Sequence, residues 1–595
     1  VDMYAKCGLL KAAEEVFNKL PYRDLVSWTS LMAGYLEYGN SEKVFECYKQ
    51  MLLERISSDA ITTLYILKAC VNIQDSNKGR EMHSEIACKG LLECDVAIGV
   101  ALIDMYGKCG LLPEAEDVFD KLLVRDTVAW NALLASYVEH QRCEDVFNCL
   151  ESMQIDGVVQ DSVTFVCILK ACGTSGAAHI GQEIHRQVEK EKLLERDSVI
   201  CNALLDMYIK CDSLERAKHV FNEIPNQDTV SWTTIIAGYV EHGHSKEALK
   251  FFGWMQVKGI IPDAATFVCT LKACSDVRDL EMGGHIHAEI ERLGLMETNL
   301  AIGNTLVDMY AKCGFLAKAN EIFIKLPVQD VVSWTAVIAG YVEHCRNDEA
   351  LNCFEQMQID GVNPNDITFI CGLKACALIG ATEKGSQIHV EIERQGLLDK
   401  NIVVGTALLD MYCKWGVLTK ALQVFDKLPV RDGVSWTVLM SGYAQLGESE
   451  NVVSIFERMV SEGVNPNSVT FLVLLSACCH CTSIFSKSKT YFEAMSQVFG
   501  IEPTLEHHTC MVMGFGCGGY FEEAISMIKA MPCSDYPSVW LTLLGACGKW
   551  GNMQLGKLVF DKAIQLDSSC GVFYVLMSKM ITDFNTQKYD ECLKP

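Results

Sequence analysis

The chain has 595 residues, a formal net charge of −25 and 29 cysteines, and half of its residues are apolar. One hydrophobic core rarely organises a chain of this length, so several domains or a repeat array are expected, and the apolar content excludes a disordered chain. No uninterrupted apolar run of about 18 residues occurs, so no membrane span is predicted. Because the first residues, VDMYAKCG, already follow a helical pattern, we expect a fragment in which a targeting peptide would not be visible.

A repeat of 102 residues runs along almost the whole chain. The string DMYxK begins at Asp2, Asp104, Asp206, Asp308 and Asp410. The same step separates Trp28, Trp130, Trp232, Trp334 and Trp436. It also separates the LKAC or LSAC strings that begin at Leu67, Leu169, Leu271, Leu373 and Leu475. Five copies at one fixed spacing indicate a repeat protein.

Each repeat divides into motifs of 35, 36 and 31 residues, for example 229–263, 264–299 and 300–330. Every motif contains two segments of helical length with helical apolar periodicity, separated by a glycine or polar break. Pro225, Pro327 and Pro429 follow second segments, where proline ends a helix. No alternating strand pattern competes, so the sequence predicts an all-α solenoid of stacked helix-turn-helix units.

The alternating lengths and the strings SWTxxIAGY, TFxxxLKAC, GxxIHxEI and DMYAKCG resemble the pentatricopeptide repeat (PPR) family, PLS subclass, of plant organelles. The resemblance implies a right-handed superhelical solenoid. It divides residues 1–536 into sixteen motifs, the first partial: 1–24, 25–59, 60–95, 96–126, 127–161, 162–197, 198–228, 229–263, 264–299, 300–330, 331–365, 366–401, 402–432, 433–467, 468–504 and 505–536. Residues 537–595 resemble the family's E1 extension, although the match decays after about residue 580.

The fifth residue of several motifs is a small polar residue, threonine or asparagine, between constant neighbours. A role as a helix N-cap alone is one interpretation. The resemblance implies another, in which the fifth and last residues jointly recognise one RNA base. It pairs Thr29 with Asp59, Thr233 with Asp263 and Thr406 with Asp432 for guanine; Asn131 with Asp161, Asn202 with Asp228 and Asn304 with Asp330 for uracil; and Thr335 with Asn365 and Thr437 with Asn467 for adenine. The 36-residue motifs have an apolar fifth residue and receive no base, so the expected target is G??U?UG?UA?GA.

The second residue of most motifs is apolar. In the 35-residue motifs it is Val26, Val128, Val230, Val332 and Val434. The resemblance implies that these side chains sandwich the bases, and packing in the core is the alternative.

A net charge of −25 is unusual for a nucleic-acid-binding protein. Two periodic sets of lysines could supply local positive charge. The DMY lysines are Lys6, Lys108, Lys210, Lys312 and Lys414, of which the last four are the predicted phosphate contacts. The LKAC lysines are Lys68, Lys170, Lys272 and Lys374. An outer, merely solvated row is the alternative for either set.

The periodic cysteines, which follow the DMY lysines or end the LKAC strings, are predicted to be buried packing residues, because their long even spacing fits neither disulfide nor zinc motifs. The periodic histidines are predicted to be structural. The H-x-E strings at His83, His287 and His389 and the C-x-x-C from Cys478 to Cys481 resemble parts of a zinc deaminase, but their separation is far too long. No metal, cofactor or catalytic residue is therefore predicted, and the chain is expected not to be an enzyme because no deaminase domain is visible.

PLS members with E-type extensions mostly specify cytidine-to-uridine editing sites. The resemblance therefore implies a single-stranded RNA-binding protein of the mitochondrion or chloroplast that acts with a DYW-type deaminase supplied in trans. RNA stabilisation or splicing through the same binding is one alternative. A protein-binding helical scaffold, which the acidic balance would suit, is another.

Overall fold

A computed structural model describes residues 1–90, 95–480, 485–531, 536–567 and 571–592, without the side chains of residues 480 and 583–592. Within these ranges every regular element is a helix and there is no strand. The predicted all-α fold of helix-turn-helix repeats is confirmed. None of the helices in these ranges is both long and apolar enough to cross a membrane.

The 35-residue motifs consist of two helices of equal length. Their first helices are Leu25–Glu37, Thr127–Glu139, Thr229–Glu241, Val331–Glu343 and Gly433–Gln445. Their second helices are Ser41–Leu53, Cys143–Ile155, Ser245–Val257, Asn347–Ile359 and Ser449–Ser461.

The 36-residue motifs, and the matching motif 468–504, repeat this pattern. Their first helices are Ala60–Ile73, Ser162–Ser175, Ala264–Val277, Asp366–Ile379 and Ser468–His480. Their second helices are Ser76–Cys88, Ala178–Lys190, Leu280–Arg292, Thr382–Arg394 and Phe485–Gln497. Short helical turns, Leu193–Glu195, Leu295–Thr298 and Leu397–Lys400, follow three of them.

The 31-residue motifs have a shorter second helix. Their first helices are Asp2–Lys6 in the partial motif, Val96–Lys108, Ser198–Lys210, Leu300–Lys312, Ile402–Lys414 and, in the last motif, Leu505–Gly518. Their second helices are Leu10–Asn18, Leu112–Lys121, Leu214–Glu223, Leu316–Lys325, Leu418–Lys427 and Phe521–Ala530. Three further helices follow: Pro537–Lys549, Met553–Leu566 and Gly571–Cys592.

The contacts divide the chain into two compact units, Val1–Thr305 and Leu306–Pro595. Within each unit a first helix packs against its own second helix and against the first helices of the neighbouring motifs. The first helices thus form one layer and the second helices another, which is the packing expected of a solenoid.

An aromatic pair recurs where a 31-residue motif meets the next 35-residue motif. The phenylalanine near the end of the short second helix packs edge-on against the tryptophan, with ring centroids 4.5 Å apart for Phe119 and Trp130 and 4.7 Å apart for Phe425 and Trp436. Such pairs combine a large buried apolar area with favourable ring geometry. The periodic tryptophans are therefore core residues.

The cysteines of the LKAC strings are buried, as predicted: Cys70, Cys172, Cys274, Cys376 and Cys478. The prediction of burial is wrong for the cysteines after the DMY lysines, because they lie at helix C-termini beside a glycine or polar turn. Cys7 is exposed, and Cys109, Cys211 and Cys313 are half-buried.

The periodic histidines have the structural role that was predicted. His83 Nδ1 lies 2.9 Å from the Tyr106 hydroxyl, and His389 Nδ1 lies 2.8 Å from the Tyr412 hydroxyl. Each bond joins a second helix of a 36-residue motif to the first helix of the following motif. Cys481 of the C-x-x-C string lies outside the described residues.

Candidate nucleic-acid interface

The last residue of each predicted pair is the N-cap of the next motif's first helix. The Asp263 carboxylate, for example, accepts a hydrogen bond from the Thr266 backbone N–H at 2.8 Å and from its hydroxyl at 2.7 Å. Asp161 and Asn365 make the same bonds to Thr164 and Thr368. The fifth residue is therefore not the N-cap, and that interpretation of its small polar side chain was wrong.

In the 35-residue motifs the fifth residue lies against this capped turn. Asn131 donates from Nδ2 to the Asp161 carboxylate at 2.9 Å and accepts from the Thr164 hydroxyl at 2.7 Å. The Thr233 hydroxyl lies 3.4 Å from the Asp263 carboxylate. The structure thus brings together two predicted pairs, Asn131 with Asp161 and Thr233 with Asp263.

Two other pairs in the 35-residue motifs meet through a third side chain. The Thr335 hydroxyl lies 2.7 Å from that of Thr368, which in turn bonds Asn365. Thr437, Thr470 and Asn467 form the same chain, with 2.8 Å between the two hydroxyls. The hydroxyls of Thr335 and Thr437 also bond a carbonyl oxygen of their own helix. Thr29 differs because, among the described residues, its hydroxyl bonds only its own helix, at 3.0 Å from the Leu25 carbonyl oxygen.

The bridging threonines were not identified from the sequence. Each is fully buried and occupies the third position of the first helix in the next motif: Thr62, Thr164, Thr266, Thr368 and Thr470. The available signal was the spacing, since an Asp or Asn three residues before a Thr is typical of a helix start.

The 31-residue motifs leave the fifth residue less satisfied, because the next helix has serine instead of threonine at its third position. The Asn202 Oδ1 and the Thr406 hydroxyl are both buried without a hydrogen-bond partner among the described residues. The Asn202 side chain lies close enough to the Asp228 carboxylate to lower the pKa of that carboxyl, so the members of this predicted pair are also neighbours. A buried polar atom without a partner costs free energy and can be stabilised by a ligand. Asn304 and Asp330 belong to different compact units.

Hydrogen bonds keep two acidic members of the pairs, Asp161 and Asp228, ionised. Desolvation raises the pKa of Asp161, but bonds from the Thr164 N–H, the Asn131 amide and the Thr164 hydroxyl outweigh it and lower the pKa below its usual value. Desolvation likewise raises the pKa of Asp228, and the bonds from Ser231 together with the nearby Asn202 side chain reverse the shift. Both carboxylates are therefore hydrogen-bond acceptors at neutral pH.

The second residues of the 35-residue motifs are exposed, between 53% for Val332 and 68% for Val26. Val128, Val230 and Val434 lie within this range. Core packing, the alternative for these valines, is therefore wrong. A row of exposed valines, each one helical turn from a polar fifth residue, offers apolar contacts beside hydrogen-bonding groups.

At about 100° per residue, the second, ninth and thirteenth residues of a first helix lie within about 40° of one another. We call the face that they form the first-helix surface. In the repeat 127–228 its charged members are Glu139, Lys170, Asp206 and Lys210. Two acids and two bases balance, so this surface is close to neutral although the chain carries −25.

The two lysine sets on this surface differ in their partners. Each DMY lysine forms an ion pair with the aspartate one turn earlier in its helix, for example Lys210 with Asp206 at 2.7 Å and Lys414 with Asp410 at 2.6 Å. Lys108 and Lys312 pair with Asp104 and Asp308 in the same way. The LKAC lysines are exposed, and none forms an ion pair with a described carboxylate. The LKAC lysines are therefore the freer cations, whereas the DMY lysines are neutralised locally.

Comparison with known proteins identifies the repeat. The PPR repeat family matches residues 125–174, 227–276, 329–377 and 431–480. The related PPR repeat matches residues 1–25, 26–56, 100–126, 199–228, 304–331, 406–432 and 506–536. The chain belongs to the pentatricopeptide repeat family.

Two relatives in Arabidopsis thaliana illustrate the similarity. The mitochondrial pentatricopeptide repeat-containing protein At2g03380 is 32% identical over 98% of this chain and 84% of its own length. The pentatricopeptide repeat-containing protein At2g33680 is 34% identical over 98% of this chain and 80% of its own length. Other relatives are named chloroplastic, which agrees with the predicted location of this PPR protein in one of these two organelles.

Solved structures share the fold. The maize pentatricopeptide repeat protein PPR10 matches with a TM-score of 0.57 and 18% identity, covering 99% of this chain and 91% of that one. PPR10 in complex with an 18-nt psaJ RNA element matches with a TM-score of 0.59 and 15% identity, covering 100% of this chain and 88% of that one.

Proposed function

We propose that this PPR protein binds single-stranded RNA through its first-helix surface and the adjoining fifth and last residues, one nucleotide per readable motif. The observation that carries the proposal is the contact between the fifth residue and the N-cap of the next motif. The Asn131 amide lies 2.9 Å from the Asp161 carboxylate, and both face the same turn between motifs.

The chemistry of each position suits an unpaired base. An exposed valine offers an apolar surface for the base ring, and the amide or hydroxyl of the fifth residue can bond the base edge. Asn131 retains one amide hydrogen and one carbonyl lone pair after its bonds to Asp161 and Thr164. It can therefore donate to and accept from one base at the same time.

Because this binding mode requires unpaired bases, we expect the protein to prefer single-stranded RNA. The base edges of double-stranded RNA are largely inaccessible to side chains. Eight readable pairs at about 1 kcal/mol each would give a dissociation constant near the micromolar range. The LKAC lysines, which have no carboxylate partner among the described residues, supply phosphate contacts that add to this affinity. They support phosphate binding better than the DMY lysines do.

The RNA bound is proposed to be an organellar transcript near an edited cytidine. The alternation of 35-, 36- and 31-residue motifs and the resemblance of residues 537–580 to the E1 extension support the PLS assignment and an editing role. The cytidine would be converted to uridine by a DYW-type deaminase supplied in trans, with this chain supplying sequence recognition and no catalysis. The PPR10 complex supports RNA as the ligand class.

A binding assay with two RNAs tests the proposal. One RNA carries the bases G??U?UG?UA?GA at their expected spacing, and the other has the same composition in scrambled order. The first should bind at least about tenfold more tightly, which corresponds to about 1.4 kcal/mol. Equal or absent binding of both RNAs would favour the protein-binding scaffold, the alternative that suits the net charge of −25.

The editing role needs a separate assay. Adding this chain to a purified DYW-type deaminase and a transcript that carries the expected target should raise cytidine conversion a few nucleotides downstream of the last recognised base. Tight RNA binding without any effect on conversion would instead favour RNA stabilisation or splicing.

A further inference from the structure

Four potential metal ligands meet between two neighbouring second helices, away from the residues proposed to contact RNA. Helix Ala178–Lys190 carries His185 and Glu189, and helix Leu214–Glu223 carries His219 and Glu223. A spacing of four residues places both members of each pair on one helical face. Ligand atoms of His185, Glu189 and Glu223 all lie within 4.8 Å of one another, and His219 Nδ1 lies 3.4 Å from the Glu223 carboxylate.

This cluster differs from its counterparts in the other repeats at His219, where they have Asp117, Glu321 and Gln423, and at Glu223; the first of these repeats also has Ala87 in place of Glu189. The exchange at Glu223 changes the charge most. Where this motif has Glu223, the neighbouring repeats have Lys121, Lys325 and Lys427. In one of them, Lys427 Nζ lies 2.6 Å from the Glu393 carboxylate and neutralises it. The cluster at Glu223 therefore contains a carboxylate at the position where each of its counterparts has a lysine.

Nothing else among the described residues replaces that lysine. Among the described residues, the basic side chains within 4.0 Å of the Glu189 and Glu223 carboxylates are the histidines His185 and His219, each with a ring nitrogen at 3.4 Å. Two carboxylates that face each other without a fixed cation repel, which favours a bound cation between them.

His185 is oriented as a metal ligand would be. Its Nδ1 lies 2.9 Å from the Tyr208 hydroxyl, and its buried Nε2 has no hydrogen-bond partner within the described part of the chain. The His185 side chain is 13% exposed. In the tautomer that donates from Nδ1 to Tyr208, the lone pair of Nε2 points to the Glu189 carboxylate. Metal-bound histidines commonly donate their other ring N–H to such an outer hydrogen-bond partner.

We propose that His185, Glu189 and Glu223 bind a divalent transition-metal ion, with His219 as the fourth ligand. Two imidazoles and two carboxylates suit zinc, which prefers four nitrogen, oxygen or sulfur ligands in a tetrahedral arrangement. Glu189, Glu223 and His219 are 47%, 39% and 73% exposed, so their side chains can rotate to close the site. The ion would join the second helices of two consecutive motifs.

Zinc binding to the purified chain tests the proposal, with accessible thiols first blocked by iodoacetamide; among the described residues these are Cys7, Cys88 and Cys345. After dialysis against chelator-buffered zinc, atomic emission should show one equivalent more in the wild type than in Glu223→Lys, which has the residue of the other repeats. The zinc affinity of this variant should be at least about tenfold lower. Circular dichroism checks that it remains folded, and its RNA affinity in chelator should equal that of the wild type.

A gain-of-site variant provides the matched control. Gln423→His with Lys427→Glu reproduces all four ligands around His389 and Glu393, so this variant should bind one additional equivalent of zinc. Equal zinc content in the wild type and Glu223→Lys would overturn the proposal, whatever the double variant binds. Zinc binding that persists while RNA recognition fails would leave this site intact and contradict only the proposed function.

Discussion

Exchanging Asn131 for threonine should change the base preferred at a single nucleotide. Asn131 lies between the Asp161 carboxylate and the Thr164 hydroxyl, and threonines at the equivalent position already occupy that environment in other repeats. Thr233 and Thr335 lie 2.6 and 2.7 Å from the hydroxyls that correspond to Thr164. The Asn131→Thr variant should therefore fold normally, with a stability change of about 1 kcal/mol or less.

The magnitude follows from the hydrogen bonds that change. One well-formed base contact is worth about 1–3 kcal/mol of discrimination, or about 5- to 150-fold in affinity. Four RNAs that differ only at the nucleotide opposite motif 127–161 should show a preference for uracil with the wild type and for guanine with Asn131→Thr. Fluorescence anisotropy at constant salt measures all four dissociation constants.

The reverse exchange is the control for this prediction. Thr233→Asn should move the preference opposite motif 229–263 from guanine toward uracil and leave the nucleotide opposite 127–161 unchanged. If Asn131→Thr weakened all four RNAs by the same factor, the fifth residue would contribute to packing and not to base recognition, and the reasoning from its hydrogen bonds would be refuted.

Three further predictions concern affinity, stability and pH. Replacing the four LKAC lysines by alanine should reduce the slope of log affinity against log salt by about 0.7 for each phosphate that no longer meets a lysine. Replacing the DMY lysines Lys108, Lys210, Lys312 and Lys414 should reduce this slope less. Equal slopes for the two variants in a salt titration would contradict the distinction between the two lysine sets. Thr406→Val removes a buried hydroxyl that has no hydrogen-bond partner among the described residues. Urea unfolding should therefore show an unchanged or higher free energy of unfolding, while base discrimination at the nucleotide opposite this motif falls. A decrease of more than about 1 kcal/mol in the free energy of unfolding would indicate an undetected hydrogen bond. The pKa values of Asp161 and Asp228 are lowered in the folded state. The two carboxylates therefore stabilise the fold above their ordinary pKa near 4, and this contribution is lost as the pH falls through the folded pKa. In the double variant Asp161→Asn with Asp228→Asn, the free energy of unfolding measured in urea should depend less on pH between about pH 5 and 2.

The sequence by itself determined the repeat, the helical hairpins and the family. The reason is that a solenoid uses the same local interactions in every repeat, so a pattern that is ambiguous once becomes definite when it recurs at Asp104, Asp206 and Asp308. Periodicity also predicted the burial of the LKAC cysteines and the structural role of the histidines, because equal positions in stacked units have equal surroundings.

Only the tertiary structure decided how the side chains of different motifs meet. Burial of Thr164 and its bond to Asn131 depend on the packing of two first helices, which spacing along the chain does not specify. The same is true of Glu223, whose replacement of a lysine is one letter in the sequence but places a second carboxylate beside His185 in space. Local periodicity fixes which face of a helix is buried, whereas the partners of a polar atom depend on distances between elements that are far apart in the chain.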